Sequence, residues 1–151
     1  MKTIVNPPGL AKPSGFSHGI EARGRLLFLA GQTAQDQRGR IVAPGDLVAQ
    51  FRQALVNVGT VLQARGGTLG DLVKVTFYVV DKDDYRAKVE PLGRVYREML
   101  GGYYPATTLV EVKALWDDEA LVEIDGIAVL EGEPPAAAAG GWPGVPTGEL
   151  P

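Results

Sequence analysis

Glu123 and Asp125 stand two residues apart in "ALVEIDGIAVL", a run whose alternation reads as a strand over 120–130. Alternation puts both carboxylates on one side with Leu121, Ile127 and Val129, and Val122, Ile124, Ala128 and Leu130 on the other. A carboxylate set among apolar groups is driven toward a higher pKa, which suits it to general acid or base work near neutrality. The bland alternative, an ion-paired or solvated strand residue, fits Asp125 and Glu111 better than Glu123.

The preceding strand, 106–115 in "YYPATTLVEVKAL", places Thr107, Glu111 and Lys113 together by the same alternation. His18, the sole histidine, has the right chemistry to titrate near pH 7, but in a short strand it reads more simply as a hydrogen-bonded structural residue. In "AGQTAQD", 30–36, Gly31 permits backbone amides to approach an anion or a carbonyl; a plain turn is the alternative.

Composition removes several chemistries. There is no cysteine and one histidine, so disulfides, thiolate nucleophiles, sulfur-bound zinc and multi-histidine metal sites are excluded. Net charge is -3 and the cations are scattered, which argues against a nucleic-acid partner and against RNA cleavage. No apolar run approaches the length of a membrane span, and "MKTIVNPPGLAKPSG" lacks the hydrophobic stretch of a secretory signal, so a cytoplasmic protein without membrane association is expected.

The elements that must position these residues fit a single domain over 1–132, followed by a Pro/Gly/Ala-rich tail over 133–151 whose composition predicts flexibility, with Trp142 as its one docking feature. "SHGIEARGRLLFLAGQ" predicts two short strands joined by an Arg-Gly turn, the second buried from Leu26 to Ala30. Asp46 is an N-cap for a helix over 46–65 whose Leu47, Phe51, Leu55, Val58 and Leu62 share one face. "LVKVTFYVVD" is a central strand with Val73, Val75, Phe77 and Val79 on one side. Pro91 breaks the next helical stretch, so a turn or short helix from Asp83 and a restart at Pro91 are expected, burying Leu92, Val95, Tyr96 and Leu100.

The order β-β-α-β-α-β-β is an α+β arrangement in which two helices cover one face of a sheet. The last strand is apolar on both sides and no segment remains for the second face, so self-association is predicted.

The series "LLFLAGQ", "QFRQALVNVGTVLQARGGTLGDLVKVTFYVVDKDDY", "YPATTLVEV" and "ALVEIDGIAV" resembles the RidA/YjgF family of reactive-intermediate deaminases, also called the endoribonuclease L-PSP family. The resemblance implies a chorismate-mutase-like mixed sheet, a homotrimer with small-molecule clefts between subunits, and cofactor-independent hydrolysis of imines or enamines to carbonyl compounds and ammonia. It implies that Glu123 orients the attacking water, that Gly31 and Gln32 form the contributing turn, and that Phe16 stands where a tyrosine is usual. Thr107 occupies the position of the arginine that grips the substrate carboxylate, and Leu109 that of a small residue or cysteine. Threonine offers one neutral hydroxyl in place of a bidentate charged fork. Arg97 or Arg86, on the second helical stretch, could supply the missing cation. Two functions stay open: a divergent imine or enamine hydrolase, and a non-catalytic trimer that binds a small metabolite.

Overall fold

The computed structural model describes residues 1–133 and Pro135, so nearly all of the expected tail, Trp142 included, lies outside the described residues. Six strands and three helices follow in the order β1 (Lys2–Val5), β2 (Gly19–Ala22), β3 (Arg25–Gln32), α1 (Leu47–Gln63), β4 (Leu72–Val79), α2 (Lys82–Ala87), α3 (Val89–Leu100), β5 (Ala106–Glu111) and β6 (Val122–Leu130). One four-stranded mixed sheet, ordered β3-β6-β4-β5, carries the fold, and a separate ribbon pairs β1 with β2.

α1 forms where its signals lie. The Asp46 carboxylate accepts from the Ala49 amide at 3.0 Å, satisfying one amide that the first turn leaves free. Leu47, Phe51, Leu55, Val58 and Leu62 are all buried, and the chain leaves the helix through Gly66 at φ +77°. Pro91 is accommodated in the first turn of α3, where its missing amide has no intrahelical acceptor to lose. α3 buries Leu92, Val95, Tyr96 and Leu100, the face predicted for it.

Both helices pack on one side of the sheet, against Leu29, Leu72, Val75, Phe77, Val79, Val122, Ile124 and Ala128. β4 departs from strict alternation at its start: the register shifts between Leu72 and Lys74, so Leu72 takes the core position expected of Val73. Gln50 is fully buried on α1 and fully used. It donates to the carbonyls of Ala43 and Glu119 at 3.2 and 3.0 Å and accepts from the Leu121 amide at 2.8 Å, fixing the loop before β6 to the helix.

Three expectations require correction. β2 and β3 do not form a hairpin: β2 pairs with β1, for which no strand was predicted, and β3 pairs with β6. β6 is the longest strand and apolar on both sides, so it outcompetes the four-residue β2 for the edge of β3. Gly24 permits this arrangement, because a Cβ there would lie 2.6 Å from the Leu130 carbonyl oxygen. Nor is β3 buried from Leu26 to Ala30. It is one of the sheet's two edge strands, with Leu29 in the core and Leu26 and Phe28 61% and 71% exposed on the face opposite the helices.

That face is the one left uncovered. It is apolar at Leu26, Phe28 and Val110 and polar near its middle, where Lys74 Nζ donates to Thr108 Oγ1 at 2.9 Å and the Tyr78 hydroxyl donates to Asp125 Oδ2 at 3.1 Å. Partial burial lowers the Lys74 pKa, and the nearby Asp125 charge opposes that shift.

The centre of the sheet tolerates no added bulk at Gly126. A Cβ there would overlap the backbone carbonyl of Lys74 on the neighbouring strand, and backbone inside a ladder cannot step aside. Gly126→Ala is expected to destabilise the fold by about 2–3 kcal/mol, read as an equal loss in urea unfolding free energy.

Candidate functional site

The residues singled out by sequence fall into two groups on opposite sides of the sheet. Glu123 belongs to the uncovered face. The register Tyr78↔Glu123 and Thr76↔Asp125 aligns both carboxylates with the outward side chains of β4. On the other side of β6, β3 carries a bulge: Leu29 pairs with Gly126 but Gln32 with Ile124, so three steps of β3 match two of β6. Gly31 sits in this bulge, directly beside the Glu123 carboxylate. A Cβ on Gly31 would overlap Glu123 Oε1 and lie 2.7 Å from its carboxyl carbon. The glycine is therefore a space requirement of the glutamate rather than a turn requirement.

The loop after the bulge is held from two directions. Asn57 on α1 donates through Nδ2 to the carbonyls of Thr33 and Gln35 at 2.9 and 3.0 Å. Gln35 donates to Asp117 at 2.7 Å and so latches this loop to the one between β5 and β6. The β3 bulge and the loop between β5 and β6 wall a cavity of about 310 Å³ lined by Gly31, Tyr78, Trp116, Glu123 and Asp125. Gln32 is near but turns its amide to the Ala30 carbonyl at 3.2 Å. The phenol of Tyr78 is held above its ordinary pKa by its hydrogen bond to Asp125 and by that carboxylate's charge, so it stays a proton donor at neutral pH.

The second group gathers at the free edge of β5. Val75↔Thr107 and Phe77↔Leu109 put Thr107 and Leu109 on the helix side, not on the uncovered face where the stranded polar residues were expected. The reason is that β5 pairs with β4 in parallel, and this register fixes which of its alternating residues turn inward. The Thr107 hydroxyl donates to the Pro105 carbonyl at 2.9 Å, so its only proton is already committed. Phe16 arrives beside it because Ser17 bridges to Ala106, its amide donating to Pro105 O at 3.1 Å and its hydroxyl to Tyr104 O at 2.6 Å.

Other candidates are structural. His18 pairs with the Ala11 carbonyl at 2.8 Å and meets Phe16 edge-on at 5.3 Å. Glu111 accepts from the Lys82 amide at 2.7 Å at the start of α2. Tyr78 and Trp116, with Val112, Ala114 and Leu115, line the cavity and escaped sequence reasoning. Tyr78 carried a signal, because it lies on the same side of β4 as Lys74 and Thr76, while Trp116, 94% exposed in an irregular loop, carried none.

The family profile described as endoribonuclease L-PSP matches residues 9–130. A RutC family protein of Pyrococcus horikoshii is 39% identical over 132 residues, which is 87% of this chain and 100% of the relative. The chain belongs to the RidA/YjgF family. Among solved structures, a Rid-family protein from Yersinia pestis is similar with a TM-score of 0.76 at 35% identity, covering 85% of this chain and 98% of that one. The YjgF gene product of E. coli is similar with a TM-score of 0.62 at 31% identity, covering 83% and 94%. The mixed sheet with its helices on one face is that family's fold.

Proposed function

We propose that this RidA/YjgF chain acts as a homotrimer that hydrolyses imines or enamines in a cleft between neighbouring subunits, with Glu123 of one subunit facing Phe16, Thr107 and Leu109 of the next. The observation that carries this reading is the division of the candidate residues. Glu123, with Gly31 cleared away beside it, lies on the uncovered side of the sheet, and Thr107 lies on the helix side at a free edge. No single chain closes a site from these two halves, whereas an edge of one subunit meeting a face of another does.

In this mechanism the Glu123 carboxylate accepts a proton from water as the water oxygen bonds to the imine carbon. The C=N electron pair moves to nitrogen, which takes a proton from solvent to give a carbinolamine. Collapse breaks the C–N bond and forms the carbonyl as protonated Glu123 gives its proton to the leaving nitrogen and the carbinolamine hydroxyl loses its own to solvent, so ammonia leaves and the carboxylate is restored. Tyr78 and Asp125 flank the water site as a donor and its acceptor. Incubation with freshly generated 2-iminopropanoate, and with larger or uncharged imines, tests this; no acceleration over buffer for any of them contradicts it.

Gly31→Ala provides a second check. The added methyl must displace the Glu123 carboxylate, so activity should fall on the order of 10²-fold while the melting temperature stays near the parent's. Unchanged turnover would mean that the position of Glu123 is immaterial.

One observation favours a different reading, a trimer that binds a small metabolite without turning it over. The Thr107 proton is spent on Pro105, so position 107 donates nothing to a substrate carboxylate where an arginine would give two charge-assisted bonds. A compound that raises the melting temperature by mass action and is recovered unchanged would support this reading.

A further inference from the structure

A cavity between α3 and residues 14–15 holds groups that the site above does not use. Its volume is about 330 Å³ and its wall is aromatic, with Phe51, Tyr85, Tyr96 and Tyr104 contributing. The Phe51–Tyr85, Phe51–Tyr96 and Tyr96–Tyr104 centroids lie 6.4, 6.5 and 5.6 Å apart, the last pair stacked. Tyr96 also adjoins Thr107, so this cavity lies one side chain away from the position where the carboxylate-gripping side chain is missing.

Two features of the cavity point to an anion. Arg97 on α3 lines it and has no acidic partner among the described residues, although Arg94 on the same helix pairs with Glu90 and Arg52 on α1 pairs with Glu98. Gly93 lies one turn earlier on α3. A glycine inside a helix is destabilising relative to alanine, so it calls for a reason. The reason is at hand: a Cβ on Gly93 would lie 3.3 Å from Arg97 Nη1, so the glycine leaves the guanidinium room to fold back along the cavity.

We propose that Arg97 supplies the carboxylate anchor that position 107 lacks, and that the aromatic cavity beside it takes the ligand's side chain, so that the preferred substrates are aromatic 2-imino acids. This rests on the hydrolase reading for the word substrate, but the anchor itself is testable by binding alone. Tyr85 and Tyr104 are only half-buried and keep ring surface for a further ring, and the planar guanidinium matches a carboxylate bidentately. Arg86 on α2 and Arg97 on α3 are both exposed, but only Arg97 lines this cavity.

Isothermal titration of the intact protein with phenylpyruvate and with its methyl ester tests the assignment. Arg97→Gln is expected to weaken the anion roughly 10- to 100-fold and leave the ester unchanged, since only the charge-assisted bonds are removed. Gly93→Ala should raise the melting temperature, because alanine suits a helix better, and weaken phenylpyruvate by crowding the guanidinium; a purely structural role for Gly93 gives no such opposition of signs. Absence of phenylpyruvate binding by the parent protein, or equal affinity in Arg97→Gln, overturns the proposal. Binding that depends on Arg97 without turnover of any imine supports the anchor and contradicts the hydrolase reading, so the two fail separately.

Discussion

Glu123→Gln should lower the rate of imine hydrolysis by about 10²- to 10⁴-fold, the usual contribution of a positioned general base, with little change in melting temperature or subunit number. Glutamine fills the same volume beside Gly31 and keeps an acceptor oxygen, so packing across the β3 bulge is preserved. It cannot take a proton from water. The effect should therefore fall on kcat, with KM for the imine nearly constant, because the substrate's binding contacts are assigned to the other half of the cleft. A variant that retains full kcat would remove Glu123 from the chemistry. Loss of structure would show first in the melting curve, which separates a folding defect from a chemical one.

Phe28→Glu should break the assembly. Phe28 is 71% exposed and Leu26 61% on the face of the sheet away from the helices, a density of large apolar groups that isolated soluble chains seldom carry. Removing a buried phenylalanine from each contact costs about 2–3 kcal/mol in lost burial alone, and a carboxylate left without a partner in an apolar contact adds several kcal/mol more. Sedimentation velocity at micromolar concentration should then record monomer for the variant and a trimer for the parent. Val56→Glu is the control: Val56 is 44% exposed but lies on α1, outside the uncovered sheet face, and its substitution should leave the assembly intact. If Phe28→Glu sediments like the parent, the uncovered face is not the contact surface.

How much of this was legible in the sequence depends on the range of the interaction concerned. α1 and the buried face of α3 were readable because Asp46, Gly66 and the spacing of Leu92, Val95, Tyr96 and Leu100 are local signals that tertiary structure merely confirms. The two-sided character of β6 was readable too, and with it the uncovered face. Strand partnership was not. Nothing within "GIEARGRLLFL" says that β2 turns away to Lys2–Val5 while β3 runs beside β6, because that choice is a competition between distant segments for edge hydrogen bonds. The same limit hid the site's geometry. Alternation correctly grouped Glu123 with Asp125, yet the separation of Thr107 from Glu123 depends on a parallel register between β4 and β5. The proximity of Gly31 to Glu123 depends on a bulge 92 positions earlier in the chain (123 − 31), where "AGQ" alone suggests only a turn. The pairing of Gly93 with Arg97 was within reach, being a single helical turn, but a glycine in a helix reads as a weakness until the side chain lying across it is seen.

Mixed assemblies test most directly whether two subunits build one cleft. Glu123→Gln removes the water-handling half, and Thr107→Asp, similar in size but anionic, repels a carboxylate substrate from the other half; each alone should be nearly inactive. Refolded together in equal amounts, the two variants should regain about a quarter of the parent's activity, since that share of sites in a randomly mixed trimer joins an intact Glu123 to an intact Thr107. A mixture no more active than the two variants separately would contradict the shared cleft and place all of the machinery within one chain.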